Sequence, residues 1–159
     1  MTRQSTIALA VVCATLAACG GSSPSGPTTA APAPTPTPVS YSGTFSGPMA
    51  GTGNGVAAAP CTGRTTVTHT GNSISFGDLT VTGCFDSAAT FGTASGSLSS
   101  NTFTANGAYN SAGCGVINST WTGFFSGDGR LMNLRVVLTA GSQAPAGCGV
   151  LQFLGEISR

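Results

Sequence analysis

Apolar and polar residues alternate over most of the chain after residue 40, as expected of β-strands that bury one face and expose the other. This part of the chain lacks the apolar spacing of an amphipathic helix. Turn residues such as Gly71-Asn72 and Gly127-Asp128 separate the alternating runs. The pattern predicts eight strands, which are Tyr41 to Gly47, Arg64 to Thr70, Ser73 to Thr82, Thr90 to Leu98, Thr102 to Tyr109, Val116 to Ser126, Arg130 to Thr139 and Val150 to Ser158.

The same alternation predicts which side chains point inward. If Gly127-Asp128 forms the whole loop of a hairpin, Trp121 lies opposite Leu134 on the apolar side. In the run from Ser73, the apolar alternation shifts by one residue between Phe76 and Leu79, which predicts a β-bulge at Gly77-Asp78. The predicted inward side chains are Tyr41, Phe45, Val67, Ile74, Phe76, Leu79, Val81, Phe91, Phe103, Tyr109, Trp121, Phe125, Leu134, Val136, Leu138, Phe153 and Ile157.

Eight sequential antiparallel strands leave the first and last strands antiparallel to each other, so the two can pair and remove both edges of the sheet. Glycine in mid-strand, as at Gly123, is typical of a sheet that curves strongly. We therefore predict an all-β fold, a small antiparallel eight-stranded up-and-down barrel. This architecture resembles that of lipocalins and avidin-like proteins, which implies a ligand inside the barrel. The inward side chains instead predict a packed interior, with a small cavity at one mouth as the alternative.

Charge is scarce in this chain. Charged residues make up 6% of it, against about 25% in ordinary globular proteins. The four arginines and four acidic residues of segment 41–159 balance, so Thr, Ser, Asn and Gly must build the surface. Without a basic patch, nucleic acid is excluded as a partner on electrostatic grounds. The chain also contains no lysine for Schiff-base chemistry, and no cofactor is predicted.

Segment 41–159 contains four cysteines: Cys61, Cys84, Cys114 and Cys148. In an exported protein, disulfides are the expected state of such cysteines, and three pairings are possible. The hairpin that turns at Gly71-Asn72 brings Cys61 close to Cys84, so we prefer the pairs Cys61–Cys84 and Cys114–Cys148. No Cys-x-x-Cys occurs and no histidine lies near a cysteine, so no metal site is predicted.

The first residues of the chain have the layout of a secretory signal peptide, with Arg3 followed by an apolar stretch that is too short to span a bilayer. The stretch ends in Leu16-Ala17-Ala18-Cys19, which resembles the lipobox of bacterial lipoproteins. The resemblance implies that a signal peptide, 1–18, is removed and that Cys19 becomes the lipidated first residue, which anchors the protein to a membrane. An ordinary secretory signal with an incidental Cys19 is the alternative.

Residues 19–40 follow as a predicted tether, rich in Pro, Gly, Ser and Thr and without charged or aromatic residues. Alternate prolines from Pro32 to Pro38 favour an extended polyproline II conformation, which suits a spacer. Gly20, where inner-membrane lipoproteins of enteric bacteria carry Asp, favours the outer membrane. We therefore predict a signal peptide, a tether and a barrel domain of residues 41–159, exported and lipid-anchored to the cell envelope at its periplasmic face or at the cell surface.

His69 is the only histidine and hence the first candidate for acid–base catalysis. Its position beside the Gly71-Asn72 turn is typical of a rim residue, and no nucleophile motif accompanies it, so we predict no enzymatic activity. His69 is a candidate binding residue, and two surfaces are further candidates for binding. One is an outward apolar patch of Phe124 beside Leu131 across the hairpin, with Val137 and Leu154 on the same outer face. The other comprises the Gly-rich loop from Pro48 to Pro60 together with the segments Gly83 to Ala89 and Ala140 to Gly147.

These features favour a non-catalytic binding module of the cell envelope, which recognises an envelope protein or polymer. Two alternatives follow from resemblances in architecture. One is a lipocalin-like carrier of a small ligand. The other is an inhibitor of an envelope enzyme, since several bacterial inhibitors of lysozymes and proteases are small disulfide-braced barrels.

Overall fold

The computed structural model describes residues 38–53, 56–145 and 147–159, and for residues 56–59 it describes the backbone alone. The predicted signal peptide, Cys19 and the tether up to residue 37 lie outside the described residues. The described residues form strands and turns, with no helix among them.

Alternating burial accompanies strand formation throughout the domain. Met132, Leu134 and Val136 are buried, for example, and the residues between them are more exposed, as in a sheet with one dry face. The strand segments are β1 (Gly43–Gly53), β2 (Val56–Thr70), β3 (Ser73–Phe76), β4 (Leu79–Thr82), β5 (Ala89–Phe91), β6 (Ala94–Ser99), β7 (Thr102–Ser111), β8 (Gly115–Phe125), β9 (Leu131–Ala140) and β10 (Leu151–Ser158).

The ten segments form one antiparallel sheet that closes on itself, because β1 pairs with both β2 and β10. β3 and β4 both pair with β2, while β6 pairs with β3 and β5 with β4, so each couple is one strand interrupted in the middle. The interruption at Gly77-Asp78 is the predicted bulge, where the Gly77 amide donates to the carbonyl oxygen of Thr66 at 2.8 Å. The predicted eight-stranded up-and-down barrel is confirmed.

The β8–β9 hairpin has a different register from the predicted one. Trp121 lies opposite Val136 and not opposite Leu134. The predicted two-residue loop Gly127-Asp128 is part of a longer loop that runs from 127 to 130. A shift of two residues leaves every side chain on its predicted face, so the prediction of the faces is correct and that of the opposite partners is wrong.

Hydrogen bonds within this loop account for its length. The Asp128 carboxylate accepts hydrogen bonds from the Ser126 hydroxyl and from the Arg130 amide, the latter at 3.0 Å. Gly129 adopts a φ of +69°, a left-handed conformation that suits glycine. The Ser126 amide then donates to the carbonyl oxygen of Leu131 at 2.9 Å, where pairing of the strands begins.

The prediction of a loop from Pro48 to Pro60 is wrong, because β1 continues to Gly53 and β2 begins at Val56. Met49 lies opposite Cys61 within this extended hairpin. Glycine and alanine give no apolar signal, so the sequence pattern does not reveal a strand here. Pairing with β10 on the other side of β1 supplies the hydrogen bonds that keep this segment extended.

Side chains fill the interior of the barrel. The Phe76 ring centroid lies 5.0 Å from that of Phe103 and 5.0 Å from that of Trp121. Trp121 is fully buried, and its Nε1 donates to Ser119 Oγ at 3.0 Å. The predicted inward residues are buried, except for Tyr109, which is half-buried. The core also contains Met49, Cys61, Ala94, Leu98 and Ala105, which were not predicted to point inward.

The two ends of the barrel carry different connections. The chain enters beside Tyr41, and this entry end carries the short turns after β2, β6 and β8. The opposite end, which we name the mouth, carries the connections after β4, β7 and β9. The mouth therefore lies at the far end of the strands from the point where the chain enters.

Candidate functional site

Both disulfides lie at the mouth. Cys61–Cys84 joins β2 to the connection after β4, with the Cα atoms 5.0 Å apart. Cys114–Cys148 joins the connection after β7 to that after β9, with the Cα atoms 5.7 Å apart. The predicted pairings are confirmed, and they are typical of a protein exported to an oxidising compartment. Each bond ties a mouth connection to another part of the barrel.

A cavity of about 160 Å³ opens at the mouth beside the Cys114–Cys148 disulfide. Its apolar wall consists of side chains from the ends of β7, β8, β9 and β10, and its polar edge comes from Ser111 and from glycines of the connection after β9. We name this cavity the socket. It is lined by Tyr109, Ser111, Cys114, Ile117, Leu138, Gly147, Cys148, Gly149 and Leu151.

A second depression of about 90 Å³, which we name the notch, shares Leu151 with the socket. Residues 51–53, Phe85 and Phe153 complete its lining. The Phe85 ring lies 6.2 Å from the Phe153 ring, but 40% of Phe85 remains exposed. An aromatic side chain is thus held at the mouth without being covered.

Gly51 allows the aromatic ring and the disulfide to approach the backbone beside the notch. A Cβ at this position would lie 3.2 Å from Cε1 of Phe153 and 3.3 Å from Sγ of Cys61. The glycine therefore forms part of the mouth, although the sequence pattern assigns it to a loop.

The mouth is nearly free of charge. Asp86 is the one charged residue among the described residues of the connections after β4, β7 and β9. Burial raises the pKa of the Tyr109 hydroxyl, because the phenolate would lose hydration there. The socket is therefore neutral at physiological pH and suits an uncharged, largely apolar group.

At the entry end, aromatic rings and hydrogen bonds hold the described residues together. The Tyr41 ring stacks on Phe125 with a centroid distance of 4.6 Å and lies 5.2 Å from the His69 ring. Arg159, at the end of the described chain, donates from Nη1 to the carbonyl oxygen of Ser42 at 2.7 Å. The last strand thereby fastens the segment at which the chain enters.

His69 takes part in these contacts. Its Nε2 donates to the carbonyl oxygen of Gly71 at 2.7 Å, within the turn that follows β2. His69 is paired with Ile74, whereas Asp78 lies further along the barrel in a surface depression with Arg64. The structure therefore does not bring His69 and Asp78 together, and the observed bonds of His69 are those of a rim residue.

The predicted outer patch is partly contiguous. Phe124 is 49% exposed and Leu131 is 40% exposed. Phe124 pairs with Asn133, so Leu131 lies diagonally from it on the same face. Leu154 is also exposed but pairs with Arg135, further along the wall.

Sequence reasoning included Phe85 only within the candidate segment Gly83 to Ala89 and missed Leu151, although both residues shape the mouth. Phe85 directly follows Cys84 in a segment without alternation, and Leu151 was treated as an ordinary strand residue. The sequence offered one signal for Phe85, which is a large apolar residue beside a disulfide cysteine in an otherwise polar loop.

Searches for other kinds of site were negative. Within residues 38–53, 56–145 and 147–159, no group of three or more His, Cys, Asp or Glu side chains is placed to hold a metal ion. No helix in the described part of the chain is long and apolar enough to cross a membrane. Comparison of the chain with models of protein families, with curated proteins and with solved structures gives no match.

Proposed function

We propose that this protein is a lipid-anchored, non-catalytic binding module of the bacterial cell envelope and that it meets its partner with the mouth. The observation that carries the proposal is the separation of the two ends. The chain enters at one end, beside Tyr41, while the braced and apolar end lies at the far end of the strands. A tether attached at the entry end would hold the mouth away from the membrane.

The packed interior favours such a module over a lipocalin-like carrier. Rings of Phe76, Phe103 and Trp121 occupy the space in which a carrier would hold its ligand. The socket, at about 160 Å³, is smaller than the roughly 300–1,000 Å³ of common small-molecule sites. Recognition through the mouth requires no internal cavity. An inhibitor of an envelope enzyme would be a special case of the same proposal, in which the partner is an enzyme.

Photo-crosslinking in living cells tests which surface meets the partner. p-Benzoylphenylalanine would replace Phe85 at the mouth, Phe124 in the outer patch or Thr68 on the outer wall, all of them exposed positions. We expect a discrete crosslinked product from position 85 and none from position 68. Crosslinking from position 124 alone would assign binding to the outer patch and contradict the role of the mouth.

The anchor is tested by replacing the predicted lipidated cysteine. We expect Cys19→Ala to abolish incorporation of labelled fatty acid. Cys13→Ala is the matched control, because Cys13 lies within the predicted signal peptide and would be removed with it. Continued fatty-acid labelling of the Cys19→Ala protein would show that Cys19 is not the lipidation site.

A further inference from the structure

The socket has the size of one aromatic ring. Its volume is about 160 Å³, and an apolar protein cavity of about 150 Å³ is large enough to hold benzene. The neighbouring notch, at about 90 Å³, is too small for a second ring and is separated from the socket by Leu151. The socket by itself therefore has room for a single ring.

The chemistry of the lining also favours a ring. The Tyr109 ring forms one wall, and the Cys114–Cys148 disulfide contributes another. Aromatic pairs attract each other beyond the effect of burial, and polarisable sulfur makes favourable contacts with aromatic rings. Leu138 adds an apolar surface to the lining. An uncharged aromatic group would thus find suitable neighbours in the socket.

The surroundings of the socket indicate that the ring belongs to a protein. Phe85, Val116 and Val150 remain exposed around the mouth, and Asp86 is the one charged residue of the described mouth connections. A free aromatic molecule would cover none of these side chains, whereas a partner surface around an inserted side chain would cover them. We propose that the socket receives a Phe or Tyr side chain of a partner protein, an inference that rests on the proposed function of the mouth as a binding surface.

Capped amino acids allow this inference to be tested without the partner. The full-length Cys19→Ala chain, which cannot be lipidated at residue 19, would be titrated with N-acetyl-phenylalaninamide and followed by amide NMR. We expect saturable shifts of the Gly113 and Gly149 amides at the mouth and none of the Gly71 and Gly129 amides at the entry end. N-acetyl-alaninamide, which lacks the ring, should bind at least about tenfold more weakly.

A plug in the socket provides the matched variant. Ser111→Phe places a ring at the edge of the socket, and we expect binding of N-acetyl-phenylalaninamide to weaken at least about tenfold. Asn110→Phe adds the same ring on the outer face of the same strand and should leave binding unchanged. Fluorescence of Trp121, the single tryptophan, reports whether each variant has folded. Ser111→Leu serves as a smaller plug if the phenylalanine disturbs the fold.

Three outcomes would overturn the inference. The first is the absence of saturable shifts at the mouth, and the second is an equal loss of binding in Ser111→Phe and Asn110→Phe. The third is toluene binding at least about tenfold more tightly than N-acetyl-phenylalaninamide, since the socket would then exclude a ring carried by a polypeptide. Crosslinking from position 85 with no binding of the capped amino acid would leave the proposed function standing and remove only the aromatic side chain as the ligand.

Discussion

The two ends of this barrel are held by different forces. At the entry end, Tyr41 packs on Phe125 and Arg159 donates a hydrogen bond to the carbonyl oxygen of Ser42. At the mouth, two disulfides hold the connections while Phe85 stays exposed. The connections at the mouth are thus held by disulfides, whereas the entry end is held by side-chain packing and hydrogen bonds. A protein can keep an apolar surface open to partners where its loops do not depend on that surface for their own stability.

Removal of one aromatic ring from each end should reveal this contrast most strongly. We expect Phe125→Ala to lower the free energy of unfolding by about 3–5 kcal/mol, because the ring is fully buried at the entry end. Phe85→Ala should cost less than about 1 kcal/mol, since the ring is already partly in water. Urea denaturation followed through the fluorescence of Trp121 measures both effects. Similar losses from the two variants would mean that the mouth depends on packing as much as the entry end does.

Removal of a disulfide should act on the mouth first. In the chain-entropy account, replacing Cys114 and Cys148 by alanine lowers the free energy of unfolding by about 3–4 kcal/mol, because this bond spans a sequence separation of 34. Native-state hydrogen exchange should show the loss of protection at Gly149 before that at Gly129. The Cys61–Cys84 bond, which spans 23 residues, provides the comparison and should have a slightly smaller effect. If local opening reduced the hydrogen-exchange protection of both ends equally, the disulfide would not stabilise the mouth in particular.

The sequence predicts most of this fold because alternation depends on the backbone alone. Side chains of a strand point to opposite faces whatever their partners are, so inward residues such as Trp121 and Phe45 can be assigned without knowing the register. The register depends on loop length, and here Gly129 and the hydrogen bonds of Asp128 extend the loop beyond Gly127-Asp128. Such bonds are not visible as a pattern of apolar residues.

The candidate site is less predictable than the fold. Cysteine positions and the hairpin together predict the correct disulfides. The socket, however, arises where the ends of four strands meet residues of the connection after β9, and no single stretch of sequence carries it. Gly51 illustrates the difficulty, because its role depends on Phe153 and Cys61, both distant from it in sequence. Sites formed by the missing side chain of a glycine leave no signal in a hydrophobic pattern.

Alkaline pH should weaken the mouth before the entry end. Burial raises the pKa of Tyr109 in the folded protein above its unfolded value of 10.0. The folded state therefore holds this proton more firmly, and stability that is fully present below pH 10 is lost as the pH rises through the folded pKa. We expect the melting temperature of the native protein to fall more steeply above this pH than that of Tyr109→Phe. Parallel curves for the two proteins would show that Tyr109 is not desolvated at the mouth.

Acid should act on the entry end, where Asp128 lies. This effect should be the smallest of the four predicted effects, because Asp128 is exposed to solvent. The Ser126 hydroxyl and then the Arg130 amide lower the pKa of Asp128 below its usual 3.8 by donating hydrogen bonds to the carboxylate. The stabilisation is therefore present above pH 3.8 and is lost as the pH falls through the lower folded value. We expect hydrogen-exchange protection of Gly129 to decline in this range while that of Gly149 at the mouth stays constant. Asp128→Asn keeps an oxygen that can accept both hydrogen bonds but cannot ionise, so it should remove the pH dependence without opening the turn. If the protection of Gly129 still declined in Asp128→Asn, another group would be the cause. The two ends would then differ in packing but not in their response to acid.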